Sequence, residues 1–294
     1  MAQQTERIYI IGGTGNVGKE TVQDLIANKI PVTLYARNPS KAASLFLNSE
    51  DLVTVVQGDY SDLTPLKNSL PGHTRLFLLA NAIEDLPKVK LNIATLAYEA
   101  GIKQIVDISS KLVSLPWRST FIGHIHYLAE KAIDEIPGRG AFVTLRPGQF
   151  MSNLYMSNPA KAGVIKDVVD KNTPQGWISP SDIGALAAII LRDDIEKHGD
   201  AVYDMIGTSV TPAERAAIFS RLLDRPITYQ RVSATDRYNE LRQATGYPHR
   251  AIYDIVSVSE SIADVSKGLP ILLGREPETL EAFLSANKQR FTVI

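Results

Sequence analysis

The first predicted strand is Ile8-Tyr9-Ile10-Ile11, and it runs directly into the turn Gly12-Gly13-Thr14-Gly15-Asn16-Val17-Gly18. The strand has no polar face, which is typical of a strand buried on both sides of a parallel sheet. Beyond the turn, residues 19–28 carry apolar side chains at helical spacing. A strand, a glycine turn and a helix in this order predict the opening βαβ unit of a dinucleotide-binding sheet.

The turn matches G-x-G-x-x-G from Gly13 and G-x-x-G-x-x-G from Gly12. Glycines permit a tight turn and let backbone N–H groups approach a pyrophosphate at the N-terminus of the following helix. The alternative is a glycine-rich loop that binds nothing. The predicted cofactor contacts in the turn are Gly12, Thr14, Gly15, Asn16, Val17 and Gly18.

The rest of the first half alternates between strand and helix patterns. Further strands are predicted at 32–36, 53–57, 76–80, 104–108 and 142–145, with helices at 63–70, 89–100 and 125–136. Short connections between such elements imply parallel strands and right-handed crossovers. The pattern predicts an α/β protein with a doubly wound parallel sheet of the Rossmann type.

The alternation of strand and helix patterns becomes less regular after Arg146-Pro147-Gly148. Helices are predicted at 182–191, 235–245 and 278–287, with a strand at 202–205, and Thr211 and Glu214 form the pattern of a capping box. We therefore expect a nucleotide-binding domain over 1–150. A smaller, mainly helical lobe over 151–294, interwoven with the sheet edge, is expected to meet a substrate or partner.

Composition excludes several classes of protein. The 294 residues include 31 Lys and Arg against 32 Asp and Glu, and no Cys. The near-neutral balance gives no electrostatic footprint for nucleic acid or an anionic membrane. The lack of Cys excludes disulfides, Cys-type zinc sites, iron–sulfur clusters and thiol nucleophiles. With no long apolar run and a polar first segment, a cytoplasmic protein without a membrane span or signal peptide is expected.

The end of the second strand selects the dinucleotide. NAD-dependent enzymes tend to place an acidic residue there to hold the ribose 2′-hydroxyl, whereas this strand ends in Tyr35-Ala36-Arg37-Asn38. A guanidinium suits a 2′-phosphate through charge-assisted, bidentate hydrogen bonds, and Lys41 is placed to assist. We predict NADP(H) as the cofactor. The alternative is that Arg37 is an ordinary exposed charge.

Other cofactor contacts are predicted where later strands end. Asp59 is expected to accept a hydrogen bond from the adenine amino group, and the alternative, a helix-capping role, is compatible with it. The remaining predicted contacts are Tyr60, Leu79, Ala80, Asn81, Ser109 and Phe150.

These segments, with His126-Tyr127-Leu128-Ala129-Glu130-Lys131 and Leu145-Arg146-Pro147-Gly148-Gln149-Phe150-Met151-Ser152-Asn153, resemble the NmrA-like group of atypical short-chain dehydrogenase/reductases. The resemblance spans nearly the whole chain. It implies a Rossmann fold, usually NADP(H), and a small C-terminal lobe over the nicotinamide end. Some members resemble quinone or isoflavone-type reductases, and others are redox-sensing regulators that bind a dinucleotide and a partner protein.

Two reading frames compete for the catalytic residues. Short-chain reductases use a Tyr as general acid, a Lys three or four positions later that lowers its pKa, and a Ser that orients the carbonyl; Tyr127, Lys131 and Ser109 fit that string. Anchoring the frame on Glu130 instead places His126 at the Lys position. His126 precedes Arg146 by 20 residues, against 15 for Lys131, and this spacing favours the second frame.

In the second frame His126 lies near the nicotinamide and is expected to donate a proton; the alternative is a structural helix histidine. No metal site is expected, because His124 and His126 point to different faces of a helix. Side chains predicted to contact an apolar or aromatic substrate, with ordinary core as the alternative, are Trp117, Phe121, Asn153, Tyr155 and Trp177.

Two functions follow. The first is an NADP(H)-dependent reductase of an apolar or aromatic carbonyl, quinone or activated double bond, active as a monomer or homodimer. The second is an NADP(H)-sensing regulator without catalysis, which requires a protein partner and a conformational difference between its free and bound states.

Overall fold

A computed structural model describes residues 7–47, 49–157, 162–258 and 263–292. The strands are β1 (Ile8–Ile11), β2 (Val32–Ala36), β3 (Val53–Gln57), β4 (Arg75–Leu78), β5 (Gln104–Ile108), β6 (Ala141–Pro147), β7 (Gln149–Phe150), β8 (Val164–Asp167), β9 (Gln175–Ile178), β10 (Val202–Met205), β11 (Thr208–Val210) and β12 (Thr228–Arg231). The helices of the described ranges are α1 (Asn16–Ala27), α2 (Pro39–Leu45), α3 (Thr64–Ser69), α4 (Leu86–Glu99), α5 (Phe121–Asp134), α6 (Leu154–Ser157), α7 (Pro180–Ile190), α8 (Ile195–His198), α9 (Pro212–Leu223), α10 (Ala234–Ala244), α11 (His249–Ser257), α12 (Leu269–Leu273), α13 (Leu280–Ala286) and α14 (Gln289–Thr292).

Seven strands form the main sheet in the order β10-β6-β5-β4-β1-β2-β3. The neighbouring pairs β6-β5, β5-β4, β4-β1, β1-β2 and β2-β3 are all parallel. The chain adds β2 and β3 on one side of β1 and then returns to add β4 and β5 on the other. This reversal lies between β1 and β4, the kind of place where doubly wound sheets bind ligands. The predicted parallel α/β sheet is confirmed.

Several predicted boundaries shift where tertiary contacts intervene. Helix α1 begins at Asn16, directly after the turn, and not at residue 19. Strand β4 ends at Leu78, so residues 79–81 form the loop beyond the strand and are not part of it. Helix α5 begins at Phe121, four residues earlier than predicted, and the backbone N–H of Ile122 donates to the side chain of Asp254. No local pattern encodes a cap that lies so far along the chain.

The chain divides into two compact units that are not separated by a single boundary near residue 150. The first unit comprises 1–114, 123–146 and 183–203, and the second comprises 115–122, 147–182 and 204–294. Strands β1, β4 and β5 are buried along their whole length in the described structure. The second unit has its own apolar core around Trp177 and Phe219, with the small sheets β11-β9-β7 and β12-β8.

The predicted capping box is present: Thr211 and Glu214 exchange side-chain and backbone hydrogen bonds at the start of α9. None of the helices in the described ranges combines the length and the apolar character needed to cross a bilayer.

Candidate functional site

The turn between β1 and α1 is packed so tightly that two of its glycines are obligatory. Gly12 has φ +86°, and a Cβ there would lie 2.4 Å from the carbonyl oxygen of Leu79. A Cβ on Gly18 would lie 2.2 Å from the carbonyl oxygen of Gly12. Because both obstacles are backbone atoms, neither can rotate away. The backbone segments that follow β1, follow β4 and begin α1 are therefore in direct contact at this turn.

The N-terminus of α1 is open to an anion. Gly15 occupies the N-cap position without a side-chain cap, and the first turn has no acidic residue. Gly15 and Asn16 are exposed, whereas Val17 and Gly18 are buried. The first N–H groups of a helix have no partner within the helix, and its dipole favours negative charge there. This end of α1 therefore has the donors and the access that a pyrophosphate requires.

Two exposed cations follow β2. Arg37 is the first residue after the strand, and Lys41 lies in the first turn of α2. The side chain of Asn38 caps α2 by accepting from the backbone N–H of Lys41 at 3.0 Å. This short connection keeps both positive side chains at the same end of β2.

The loop after β3 is fixed by Tyr35 of β2. The Tyr35 hydroxyl donates to the carbonyl oxygen of Asp59 at 2.8 Å and to that of Asp62 at 3.2 Å. A Cβ on Gly58 would lie 2.3 Å from this hydroxyl, so only glycine leaves room for it. Burial raises the pKa of Tyr35 to about 12, which keeps the phenol protonated as a donor.

Asp59 and Tyr60 lie beside Arg37. The carboxylate of Asp59 accepts from the backbone N–H of Ser61 at 2.8 Å and from its hydroxyl at 2.5 Å. These bonds, with a smaller contribution from the Arg37 charge, lower the pKa of Asp59. Burial raises the pKa of Tyr60, against a backbone hydrogen bond from Asn81 and the charge of Arg37. Asp59 therefore does not cap the following helix, Thr64–Ser69, which has no side-chain cap; its carboxylate instead closes a turn within the loop. The structure brings Arg37, Asp59, Tyr60 and Asn81 together.

Beyond β5, Ser109 joins a buried ionic network. Its hydroxyl donates to Oε1 of Glu130 on α5 at 2.5 Å. Arg146 on β6 forms a bidentate ion pair with the same carboxylate, with Nε 3.0 Å from Oε1 and a second guanidinium nitrogen on Oε2. The backbone N–H of Ser109 donates to the carbonyl oxygen of Leu145 at 2.7 Å. Both atoms of Ser109 that can donate are therefore engaged within the protein.

A second buried ion pair lies on the α4 side of β5. The ammonium of Lys90 is 2.7 Å from Oδ1 of Asp107 and donates to the carbonyl oxygen of Ile108 at 2.8 Å. Both residues are fully buried. Burial raises the pKa of Asp107, and the charge of Lys90 opposes that shift.

His126 lies one helical turn before Glu130 on α5. Burial, with the charge of Lys90, holds the pKa of His126 well below its usual value. Its Nδ1 is buried and has no hydrogen-bond partner among the described residues. This lowered pKa differs from the expectation that His126 titrates near neutrality, because burial disfavours the charged imidazolium.

Tyr127 and Lys131 lie on another face of α5. Tyr127 is exposed, and Lys131 forms an exposed ion pair with Glu135 one turn later. That hydrogen bond raises the pKa of Lys131. The structure therefore does not bring this Tyr–Lys pair together with Ser109 and His126.

In the second unit, the predicted substrate side chains differ widely in exposure. Trp177 is 1% exposed, with Arg215 over its ring at 5.0 Å, so it is core and presents no surface to a substrate. Tyr155 stacks on Phe283 and Phe291 at centroid distances of 5.8 and 5.4 Å.

The other predicted side chains of this unit are more accessible. Trp117 is 69% exposed, and Arg250 lies over the ring of Phe121 at 4.1 Å. Asn153 is exposed, and Phe150 is half-buried in the short strand β7, opposite Ile178 of β9. Trp117, Phe121 and Asn153 therefore keep a surface that a ligand can reach.

Sequence reasoning missed the roles of Lys90, Asp107, Arg146 and Asp254. Two signals could have revealed the ion pair: Asp107 lies inside the mainly apolar strand Gln104–Ile108, and Lys90 lies on the apolar face of α4. A buried charge requires a partner. Glu130 was used only to set the reading frame. Among the described residues, no cluster of His, Asp and Glu side chains is arranged to hold a metal ion.

The model of the NmrA-like family matches residues 4–284. The chain belongs to the NmrA-like family. The chain is similar to the NAD(P)H azoreductase of Xenophilus azovorans, which is 26% identical over 97% of this chain and 99% of the relative. The (4-alkanoyl-5-oxo-2,5-dihydrofuran-3-yl)methyl phosphate reductase of Streptomyces griseus is 30% identical over 76% of each chain.

A solved structure extends the comparison to three dimensions. The NADPH-dependent quinone oxidoreductase of Escherichia coli, solved in complex with NADPH, superposes with a TM-score of 0.80. It is 26% identical to this member of the NmrA-like family, and the match covers 96% of this chain and 99% of the E. coli chain.

Proposed function

We propose that this chain is an NADP(H)-dependent reductase of apolar or aromatic carbonyls, quinones or activated double bonds. The observation that carries the proposal is the turn at residues 12–18, where backbone atoms leave no room for a side chain at Gly12 or Gly18. A tight glycine turn at the start of a helix is the arrangement that holds a pyrophosphate in dinucleotide-binding sheets. The three relatives described above are named as reductases, two of them for NAD(P)H or NADPH.

The residues present fit NADP(H) along the strand ends. The first N–H groups of α1, at residues 16–18, hold the pyrophosphate. Arg37 holds the 2′-phosphate with Lys41 beside it, and Asp59 and Tyr60 lie on the adenine side. Residues 79–81 line the path towards Ser109 at the nicotinamide end, because a dinucleotide crosses the carboxyl ends of the strands.

When bound, the dinucleotide supplies the hydride, and the protein supplies orientation and electrostatics. His126 donates a hydrogen bond to the substrate oxygen or nitrogen on which negative charge develops and so polarises the bond that is reduced. Tyr127 and Lys131 are left out of this role, because Tyr127 is exposed and Lys131 is paired with Glu135. Trp117 and Phe121 are the aromatic side chains we assign to substrate contact.

The test combines binding with turnover. NADPH and NADH are titrated against the protein, and NADPH oxidation is followed with a panel of quinones, enones, aromatic azo compounds and ketones. We expect tighter binding of NADPH than of NADH and steady turnover with at least one class of acceptor. Equal or tighter binding of NADH contradicts the assignment of NADP(H). NADPH binding with no turnover across the panel favours the dinucleotide-sensing alternative, for which scattering with and without NADPH reports a change of shape or assembly.

A further inference from the structure

The hydroxyl of Ser109 has a fixed direction. It donates to Oε1 of Glu130 at 2.5 Å, and that carboxylate is held in turn by two guanidinium nitrogens of Arg146. Ser109 and Glu130 are both at least nine-tenths buried. The backbone of Ser109 is anchored to Leu145, the neighbour of Arg146. The orientation of this hydroxyl is therefore set by the protein and not by solvent.

The direction of this bond decides what Ser109 offers to a ligand. A serine hydroxyl has one proton and two lone pairs, and a carboxylate only accepts. Because the carboxylate of Glu130 is ion-paired with Arg146, the proton must come from Ser109. No other described residue donates to Ser109 Oγ. The remaining capacity of Oγ is to accept, so a ligand group that meets it must bring its own N–H or O–H.

We propose that Glu130 is a positioning residue that makes Ser109 a hydrogen-bond acceptor for the carboxamide N–H of the nicotinamide. This inference rests on the proposed function, which places the nicotinamide at the end of β5. It replaces the expectation that Ser109 orients a substrate carbonyl. A carboxamide brings two N–H donors and so matches an acceptor whose own proton is already used.

Paired ligands separate this role from a structural one. NADP⁺ carries the carboxamide, whereas its 3-acetylpyridine analogue carries an acetyl group with the same carbonyl oxygen but no N–H. The dissociation constants of both are measured by calorimetry, without turnover. We expect the wild-type protein to bind NADP⁺ about fivefold more tightly than the analogue, the effect of one hydrogen bond of about 1 kcal/mol.

Three variants locate the effect. Ser109→Ala removes the acceptor and brings the ratio of the two dissociation constants close to one. The double variant Glu130→Met with Arg146→Met removes the carboxylate without leaving a buried guanidinium unpaired, and it also lowers the ratio because the serine proton is released. Glu130→Gln keeps an oxygen that can accept from Ser109, so part of the preference is retained. Glu99→Gln on the exposed face of α4 makes the same charge change and leaves the ratio at the wild-type value.

The outcomes distinguish this inference from the proposed function. If the wild-type protein binds neither ligand, the proposed function fails and the inference fails with it. If NADP⁺ binds but the wild-type protein does not prefer it, or Ser109→Ala keeps the wild-type ratio, the reductase assignment stands and the role of Ser109 is overturned. If only the double variant keeps the wild-type ratio, Ser109 is the acceptor and the role of Glu130 is overturned. If the double variant does not fold, as judged by circular dichroism, Glu130→Gln decides: a ratio between one and the wild-type value supports the role of Glu130, and the full wild-type ratio overturns it.

Discussion

The carboxylate of Asp254 accepts the backbone N–H of Ile122 at 2.6 Å, although the two residues lie 132 positions apart. Asp254 is 2% exposed and belongs to α11, whereas Ile122 is in the first turn of α5. An acidic side chain at this place accepts from an N–H group that has no acceptor within the helix. Its negative charge also interacts favourably with the positive end of the helix dipole. The helix that carries His126 and Glu130 thus begins where the C-terminal part of the chain provides a cap.

Asp254→Ala is therefore expected to lower the free energy of unfolding by about 1–2 kcal/mol, since it removes the side-chain acceptor of the half-buried N–H of Ile122. Asp254→Asn keeps an oxygen at the same position and is expected to lose less. Urea denaturation measures both, and hydrogen exchange at the amide of Ile122 reports the local effect. Equal stability of the Ala and wild-type proteins would show that the cap contributes nothing.

Gly18→Ala is expected to cost about 1–3 kcal/mol of stability and to weaken NADPH binding at least tenfold, because the new methyl group must displace the backbone of Gly12. Gly15→Ala is the matched control for folding. A Cβ on Gly15 lies 3.5 Å from the nearest atom, the carbonyl oxygen of Gly12, so its cost is expected to be less than about 1 kcal/mol. Thermal unfolding and NADPH titration are the measurements, and equal losses for the two variants would contradict the packing argument.

Arg37→Gln is expected to weaken NADPH binding by roughly 10- to 100-fold and to leave NADH binding within about twofold, since only NADPH carries the 2′-phosphate. Lys88→Gln, on an exposed position of α4, controls for the lost positive charge. The dissociation constants of both dinucleotides are measured at fixed ionic strength. A parallel loss for NADPH and NADH would remove Arg37 from the 2′-phosphate site.

Lys90→Met is expected to cost about 3–5 kcal/mol, because it leaves the Asp107 carboxylate buried without its partner. The double variant Lys90→Met with Asp107→Leu replaces the pair by apolar groups and is expected to recover most of that loss. Chemical denaturation of the two variants forms the test. If the double variant is no more stable than Lys90→Met, the pair is not the source of the cost.

The free energy of unfolding is expected to fall as the pH decreases below about 6.5. Burial lowers the pKa of both His73 and His126, so the unfolded chain binds protons that the folded protein does not. The stabilisation is full above the unfolded pKa and is lost as the pH falls towards the folded value, by up to about 1.4 kcal/mol per histidine for each pH unit. Urea denaturation at pH 7.5, 6.5 and 5.5 measures the slope. His126→Gln should flatten the slope, and an unchanged slope would show that folding does not lower the pKa of His126.

The parallel sheet and the glycine turn could both be predicted from the amino-acid sequence. Strands Ile8–Ile11, Val32–Ala36, Val53–Gln57 and Gln104–Ile108 match the structure residue for residue. Interior strands of a parallel sheet are buried on both faces and are therefore mainly apolar, whereas the edge strand Val53–Gln57 is only partly buried. The positions of Gly12 and Gly18 were also readable, since the turn between β1 and α1 constrains its residues locally.

Only the tertiary structure decided which side chains meet. Ser109 follows β5, Glu130 lies on α5 and Arg146 lies on β6, and the fold brings the three side chains into one hydrogen-bonded network. The exposure of Tyr127, the complete burial of Trp177 and the lowered pKa of His126 likewise depend on what packs against each residue. The periodicity of apolar residues indicates which face of a helix or strand is buried. A hydrogen bond or a buried charge depends in addition on its partner. That partner is brought close by the fold from a distant part of the chain.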